Sequence, residues 1–304
     1  MGLWTDRIMR DSFYGFHPFV NLAFFAAVIG FSMVFMHPVC LGISLICAAA
    51  YAIYIHGKKV VRTGMIFMLP MLVFIALMSP LFNHRGGTIL TYLPNGNPVT
   101  LESVLYGIAA AVMLVTVITW FSCFNAVMTS DKFVYIFGRI FPALSLIFSM
   151  ALRFVPRFKT QTKVIADAQR GIGRDILRGS ILTRIRHGIK ILSIMVTWAL
   201  ENSIETADSM KSRGYGLPGR TAFSIYKFTR RDAYALVYIV ICAAVVITGA
   251  VTGLYHFRYF PTIRGQWTGF GTIVIFTVYF ALAIFPVLVN LKEDLIWKRI
   301  ESKI

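Results

Sequence analysis

Phe133-Val-Tyr-Ile-Phe-Gly-Arg-Ile-Phe-Pro-Ala-Leu-Ser-Leu-Ile-Phe-Ser-Met-Ala-Leu-Arg-Phe-Val155 is apolar and long enough to cross a bilayer, yet it carries Arg139, Pro142 and Arg153 and runs directly into Pro156-Arg157. Whether it crosses decides the topology. A membrane helix needs roughly 20 apolar residues, and six other stretches qualify: Phe19–Met36, Val39–Ile55, Gly64–Met78, Leu101–Cys123, Ala233–Tyr255 and Phe270–Val289. The third is short and contains Pro70. If Phe133–Val155 does not cross, 27 of the 30 Lys and Arg fall on one side of the membrane, 18 of them in 124–231, and only Arg85, Arg258 and Arg264 on the other. If it crosses, a basic segment is forced outside. Lys and Arg concentrate in cytoplasmic loops, so the count makes Phe133–Val155 a non-crossing stretch, covered by protein or lying at the interface.

Composition agrees. The 304 residues are 57% hydrophobic and 14% charged, with mean hydropathy +0.71. A soluble domain carries about 25% charged residues. The expected fold is an all-α polytopic membrane protein of about six transmembrane helices plus long cytoplasmic helices. Residues 1–130 hold spans one to four with an outside loop at 81–100, 131–231 form a cytoplasmic helical region, and 232–304 hold spans five and six and a tail. Both termini are expected on the cytoplasmic side of the cell membrane. Phe19–Met36 is longer than the core of a cleaved signal peptide and reads as the first span. In the outside loop, Asn95-Gly96 lies between Thr88–Leu93 and Val99–Leu101, the pattern of a β-hairpin or of an ordinary surface loop.

The basic region reads as two helices. The first starts at Pro142, suited to a first turn, and stops at Gly171 and Gly173; Pro156 inside it predicts a kink or break. The second runs from about Ile181 to Arg213, roughly 50 Å, and stops at Gly214, Gly216 and Pro218. Its expected inward face steps through Ile185, Ile189, Leu192, Val196, Ala199, Ser203, Thr206, Met210 and Arg213, either for tight helix pairing or for rest on the membrane spans. Each helix ends near arginine: Asp167-Ala-Gln-Arg-Gly-Ile-Gly-Arg174 and Glu205-Thr-Ala-Asp-Ser-Met-Lys-Ser-Arg-Gly-Tyr-Gly216. Arginine at such a position complements the helix dipole or serves as a docking group.

Several chemistries are disfavoured. Cys40, Cys47, Cys123 and Cys242 lie in apolar runs and read as small buried residues. The six histidines lack metal-ligand spacing, and there is no phosphate-binding loop of the G-x-x-x-x-G-K-[ST] type. No metal, cofactor or catalytic residue is expected. The basic residues track one membrane face, which argues against nucleic acid. A self-sufficient channel or secondary transporter is the alternative, against which no internal repeat is visible.

Leu152-Arg-Phe-Val-Pro-Arg157, Ala168-Gln-Arg170, Ala207-Asp-Ser-Met-Lys-Ser-Arg-Gly-Tyr-Gly216 and His17-Pro-Phe-Val-Asn-Leu22 resemble the transmembrane T component of energy-coupling factor transporters. The resemblance implies two coupling helices, each ending in an Ala-Arg-Gly-like motif that docks on one of two ABC ATPase subunits. By resemblance the second motif is Ser212-Arg213-Gly214. The first departs: Gly171-Ile172-Gly173 stands where Ala-Arg-Gly is expected, so the arginine would come from Arg170, the favoured one, or Arg174. The resemblance also implies a small membrane subunit that binds a vitamin or transition-metal ion, resting on a non-spanning apolar surface that includes Phe141, Leu144, Ile147 and Met150 and the apolar faces of both helices. ATP hydrolysis would belong to the partners.

Overall fold

The computed structural model describes residues 11–92, 94, 96–175, 179–215, 217, 226–265 and 269–301. Leu93, Asn95, Gly216 and Pro218, named above, lie outside these. Nearly everything described is helical: α1 Pro18–Val34, α2 Pro38–His56, α3 Lys58–Phe82, α4 Leu101–Val127, α5 Ser130–Ile140, α6 Pro142–Gly171, α7 Ile181–Ser212, α8 Arg230–Val251 and α9 Phe270–Glu301. Two compact units result, Met1–Thr129 with Tyr226–Ile304, and Ser130–Ile225.

The first unit holds the helices apolar enough to span. Within α2, α3, α4, α8 and α9 are five stretches of 19 to 32 residues, each containing 18 consecutive residues with mean hydropathy between 2.0 and 2.5, and α1 is a shorter apolar helix of 17. The third span is longer than the sequence indicated, because α3 continues through both Pro70 and Pro80. Its outer surface, with Phe67, Phe74 and Phe82 exposed, suits lipid. The core is aromatic: Phe13, Phe24, Phe25, Tyr51 and Trp120 are fully buried, with Phe13 edge-on to Phe24 at 5.1 Å and Phe25 edge-on to Phe124 at 5.4 Å. Edge-to-face pairs of this kind add about 0.5–1.5 kcal/mol beyond burial. One polar chain crosses it. The Trp120 indole donates to Ser44 Oγ at 3.0 Å, Ser44 Oγ lies 2.7 Å from Ser32 Oγ, and Ser32 Oγ donates to the Val28 carbonyl at 2.7 Å. Three helices are thereby tied by hydrogen bonds where no water competes.

Between α3 and α4, β1 (Ile89–Tyr92) pairs antiparallel with β2 (Pro98–Thr100), and Gly96 supplies a positive φ of 78° in the turn. The ribbon is fastened to the start of α4, where the Glu102 carboxylate, 2% exposed, accepts from Thr88 N and Thr88 Oγ1. A second short ribbon pairs β3 (Phe257–Arg258) with β4 (Arg264–Gly265). The two loops meet where Gly87 N donates to the Pro261 carbonyl at 2.9 Å.

The second unit contains α5, α6 and α7. Phe133–Val155 is not one helix. Phe141, at φ −131° and ψ 83°, separates α5 from α6, because a residue before proline is pushed out of the helical region. The 11 residues of α5 reach about half of what a crossing requires. Pro156 neither stops nor splits α6, which continues for 30 residues; the backbone loses one hydrogen bond there and keeps the rest of the ladder. The face of α7 also differs from the sequence reading. Ile185, Ile189, Leu192 and Val196 are between 51% and 63% exposed, whereas Ile191 is buried and Ile194, Met195, Trp198 and Asn202 are half-buried. Of the expected stripe, Ala199, Thr206 and Met210 are at least half-covered.

Candidate functional site

α6 and α7 are antiparallel partners. Thr162 Oγ1 approaches Met195 Sδ at 3.6 Å. One turn back on α6, Phe158 stands edge-on to Trp198 at 5.7 Å, and the Arg157 guanidinium lies over the same indole at 5.5 Å. Further back, Met150 and Phe154 line a groove of about 560 Å³ with Ser203, Thr206, Met210 and Lys211. As numbers rise along α6 they fall along α7. The C-terminus of each helix therefore lies at the opposite end of the pair, and at 1.5 Å per residue the two tips are roughly 40 Å apart.

The tips share one backbone construction. At the end of α6, Arg174 N donates to the Gln169 carbonyl at 2.9 Å and Gly173 N to the Arg170 carbonyl at 3.0 Å. At the end of α7, Tyr215 N donates to the Met210 carbonyl at 3.0 Å and Gly214 N to the Lys211 carbonyl at 3.0 Å. Both are Schellman turns, with a six-to-one and a five-to-two bond closing orphan carbonyls. Each needs a left-handed residue, and Gly173 at φ +82° and Gly214 at φ +75° supply it.

This equivalence fixes a register. Gly171 corresponds to Ser212, Ile172 to Arg213, Gly173 to Gly214, Arg170 to Lys211 and Arg174 to Tyr215. It coincides with the alignment drawn from the sequence motifs, and the position of Arg213 is held at the first tip by Ile172, 64% exposed. Neither Arg170 nor Arg174 stands at that position. Arg170 Nε donates to Asp175 Oδ2 at 3.1 Å, which uses one of five guanidinium donors. Arg174, Ser212 and Arg213 are exposed. The Ser212 hydroxyl turns back to the Ser209 carbonyl at 2.9 Å.

Of the four apolar residues expected to form a docking surface, Phe141 and Ile147 are 54% and 60% exposed, and Met150 is half-buried in the groove against α7. The Leu144 side chain is outside the described set. The four cysteines are buried and unpaired with one another. Among the described residues no group of three or more His, Cys, Asp or Glu is placed to hold a metal.

Two buried polar clusters went unread in the sequence. Asp11 accepts from the Tyr51 hydroxyl at 2.8 Å and from Asn290 Nδ2 at 2.6 Å, while Asn290 Oδ1 accepts from Ser12 N at 2.9 Å. Asp232 closes a capping box with Thr229 at the start of α8 and accepts from His17 N at 2.9 Å. Thr229-x-x-Asp232 was a readable cap; the pairing with His17 across 215 residues had no local signal. His17 itself caps α1 through Nδ1, 3.3 Å from Phe19 N. This gives the opening His17-Pro-Phe motif a structural duty.

A family model described as a cobalt transport protein, CbiQ, matches residues 15–223. Curated relatives carry the name energy-coupling factor transporter transmembrane protein EcfT. The protein of Lactobacillus helveticus is 32% identical over 105 residues, covering 34% of this chain and 38% of the relative. That of Lactococcus lactis subsp. cremoris is 34% identical over 105 residues, covering 34% and 40%. The chain thus spans about two fifths of the length of these two. EcfT 1 of Listeria monocytogenes is 31% identical over 204 residues, covering 62% of this chain and 75% of the relative.

Proposed function

The chain belongs to the CbiQ family, the transmembrane T components of energy-coupling factor transporters, and we propose that it couples two ABC ATPase subunits to a substrate-binding membrane subunit during uptake of a vitamin or transition-metal ion. The observation that carries this reading is the pair of matching tips. Two helices of 30 and 32 residues end in the same glycine turn at opposite ends of an antiparallel pair. A rigid pair with two separated contact points can receive motion from two bodies that approach and separate.

In this reading ATP binding closes the ATPase subunits, their grooves carry the tips with them, and α6 and α7 act as levers. The second tip docks through Ser212, Arg213 and Gly214. The first docks through Gly171 with Arg170 or Arg174. Arginine suits the task because its planar fork holds several hydrogen bonds in fixed geometry. Phe141, Leu144, Ile147 and Met150 receive the substrate-binding subunit. The second unit and both termini then face the cytoplasm, and the hairpin after α3 faces outside.

The test is co-purification of the full chain with the ATPase pair, together with ATP-driven uptake. Arg213→Glu is expected to weaken docking by about 2–5 kcal/mol, since it removes a charge-assisted contact and introduces repulsion. Uptake should fail while the ATPases retain basal hydrolysis. If Arg213→Glu and Arg170→Glu both assemble and transport normally, the docking scheme is wrong. Labelling of Lys190 or Lys211 from the exterior of intact cells would refute the orientation.

A further inference from the structure

Three loops gather at one end of the apolar helices: the turn between α1 and α2, the β1–β2 ribbon and the β3–β4 ribbon. Gly87 N joins the two ribbons through the Pro261 carbonyl, and the Tyr259 hydroxyl donates to the Met36 carbonyl of the turn at 2.9 Å. Across 83–100 and 252–269 the charged residues are Arg85, Arg258 and Arg264, with no Asp or Glu. The carboxylate at the start of α4, Glu102, is buried and committed to Thr88. Arg258 and Arg264 stand directly opposite each other in the β3–β4 pairing. Residues so placed share a face, with Cβ atoms about 4.5–5.5 Å apart, and like charges there are destabilising. The adjoining pair identifies the face. Phe257 is opposite Gly265, and its ring fills the place that a Cβ at 265 would take. That ring packs inward, 4.7 Å from Tyr259 and 5.1 Å from His37. Side chains alternate along a strand, so Arg258 and Arg264 project outward, and both are exposed. Among the described residues neither has an ion-pair partner.

We propose that Arg258 and Arg264 form a clamp for the phosphate of an anionic phospholipid in the leaflet that borders the two ribbons. Two guanidinium forks on one face of a ribbon, each with five donors, can hold one phosphate from both sides. The phosphate offsets a repulsion that no carboxylate of these loops relieves. Depth selects a lipid as its source. α8 ends at Val251 and α9 starts at Phe270, and these residues are 83% and 88% exposed. Large apolar side chains left uncovered at the ends of two apolar helices suit acyl chains. Between them Tyr255, Phe257, Tyr259 and Phe260 supply the aromatic residues that mark headgroup depth, and arginine at that depth extends its charge to the headgroups. Charge selects an anionic lipid over a zwitterionic one, because Arg85 on the adjoining loop adds a third cation and a zwitterionic headgroup brings another. The clamp stands independently of the docking scheme. It would fix the height of the ribbons, and of α8 and α9 beneath them, in the bilayer.

The experiment uses the full chain in nanodiscs of phosphatidylcholine and phosphatidylglycerol in equal amounts. A nitroxide is placed at His256→Cys, an exposed position beside the ribbon; the native cysteines are buried. The label speeds the relaxation of nearby phosphorus nuclei, while phosphates of the far leaflet lie roughly 40 Å away. Phosphorus NMR resolves the two headgroups, so the ratio of their relaxation enhancements reads which lipid sits at the ribbon. Phosphatidylglycerol is expected to be enhanced more strongly than phosphatidylcholine. Arg258→Gln should lower that preference about fivefold, and Arg264→Gln in addition should abolish it. Equal enhancement of the two lipids around the native pair, or a preference that survives the double substitution, overturns the proposal. So does a preference lost on adding millimolar inorganic phosphate at constant ionic strength, in which case the pair is a site for a free anion.

Discussion

Replacing Gly214 by alanine tests whether the tip of α7 is read as a shape. Gly214 sits at φ +75°, where an L-residue with a Cβ pays roughly 1–2 kcal/mol. The space around it adds to that. A Cβ at 214 would lie 3.1 Å from Leu217 Cδ1, so the leucine must give way, whereas a Cβ at Gly173 meets nothing within 4 Å. Alanine at 173 should therefore cost the backbone term alone, and alanine at 214 that term and more. The turn, not the helix, absorbs the penalty, because 32 residues of α7 are held by their own ladder and by α6. A penalty of 1–2 kcal/mol lowers the population of the closed Schellman turn by roughly 5- to 30-fold relative to open forms. An ATPase groove that accepts only the closed form would lose apparent affinity by the same factor once the open form dominates.

Hydrogen exchange reads the turn directly. The amides of Tyr215 and Arg174 are the six-to-one donors, and their protection should fall in Gly214→Ala and Gly173→Ala respectively, with the middle of each helix unchanged. Binding of the ATPase pair should weaken in parallel. Asparagine tolerates the left-handed region better than alanine, so Gly214→Asn should recover part of both losses. If Gly214→Ala exchanges faster at 215 and yet docks with native affinity, the preformed turn is not what the partner reads. Unchanged exchange would refute the structural premise of the penalty itself.

Ser44→Ala should destabilise the first unit by about 1–2 kcal/mol, since the buried Trp120 indole and Ser32 lose their shared partner; unfolding of the purified chain in mixed micelles measures it, and native stability would refute the role of this polar chain. Gly86→Ala should disturb the ribbon after α3, because its Cβ would come within 2.6 Å of Glu102 Oε2 and Thr100 Oγ1, while at Gly87 the nearest atom is at an ordinary 3.4 Å. Protease sensitivity of the loop, with Gly87→Ala as the tolerated control, decides between a packed ribbon and a loose loop; equal resistance of the two variants sinks the reading.

The apolar helices were legible because twenty apolar residues have few other uses, and 133–155 stood apart from them through its arginines and Pro142. Phe141-Pro142 even marked the point at which α5 gives way to α6, since the proline limits the residue before it. The buried face of α7 was misread for a physical reason. Periodicity locates an apolar stripe, and in a soluble protein that stripe faces the core. At a membrane an apolar stripe has other destinations, so Ile185 and Leu192 stayed exposed while Met195 and Trp198, a poorer-looking face, met α6. The chain Ser32–Ser44–Trp120 was invisible because two isolated serines in apolar helices carry no pattern until the helices are packed.

The proposed docking residues come from the motif alone, but the relation between the tips became plain only in the backbone. The hydrogen bonds of the two turns match one for one, so a receptor that recognised only the left-handed glycine and the helix end would treat them alike. Their side chains differ at each exposed position: Ile172 and Arg174 at one, Arg213 and Tyr215 at the other. Discrimination between partners comes from such differences in attraction and repulsion. A groove lined with carboxylates for Arg213 would leave them unpaired against Ile172, at a cost comparable to that of a lost charge-assisted bond. The docking scheme thus implies two ATPase surfaces of different composition, each matched to its own tip. The common turn sets where contact occurs, and the side chains set which partner makes it.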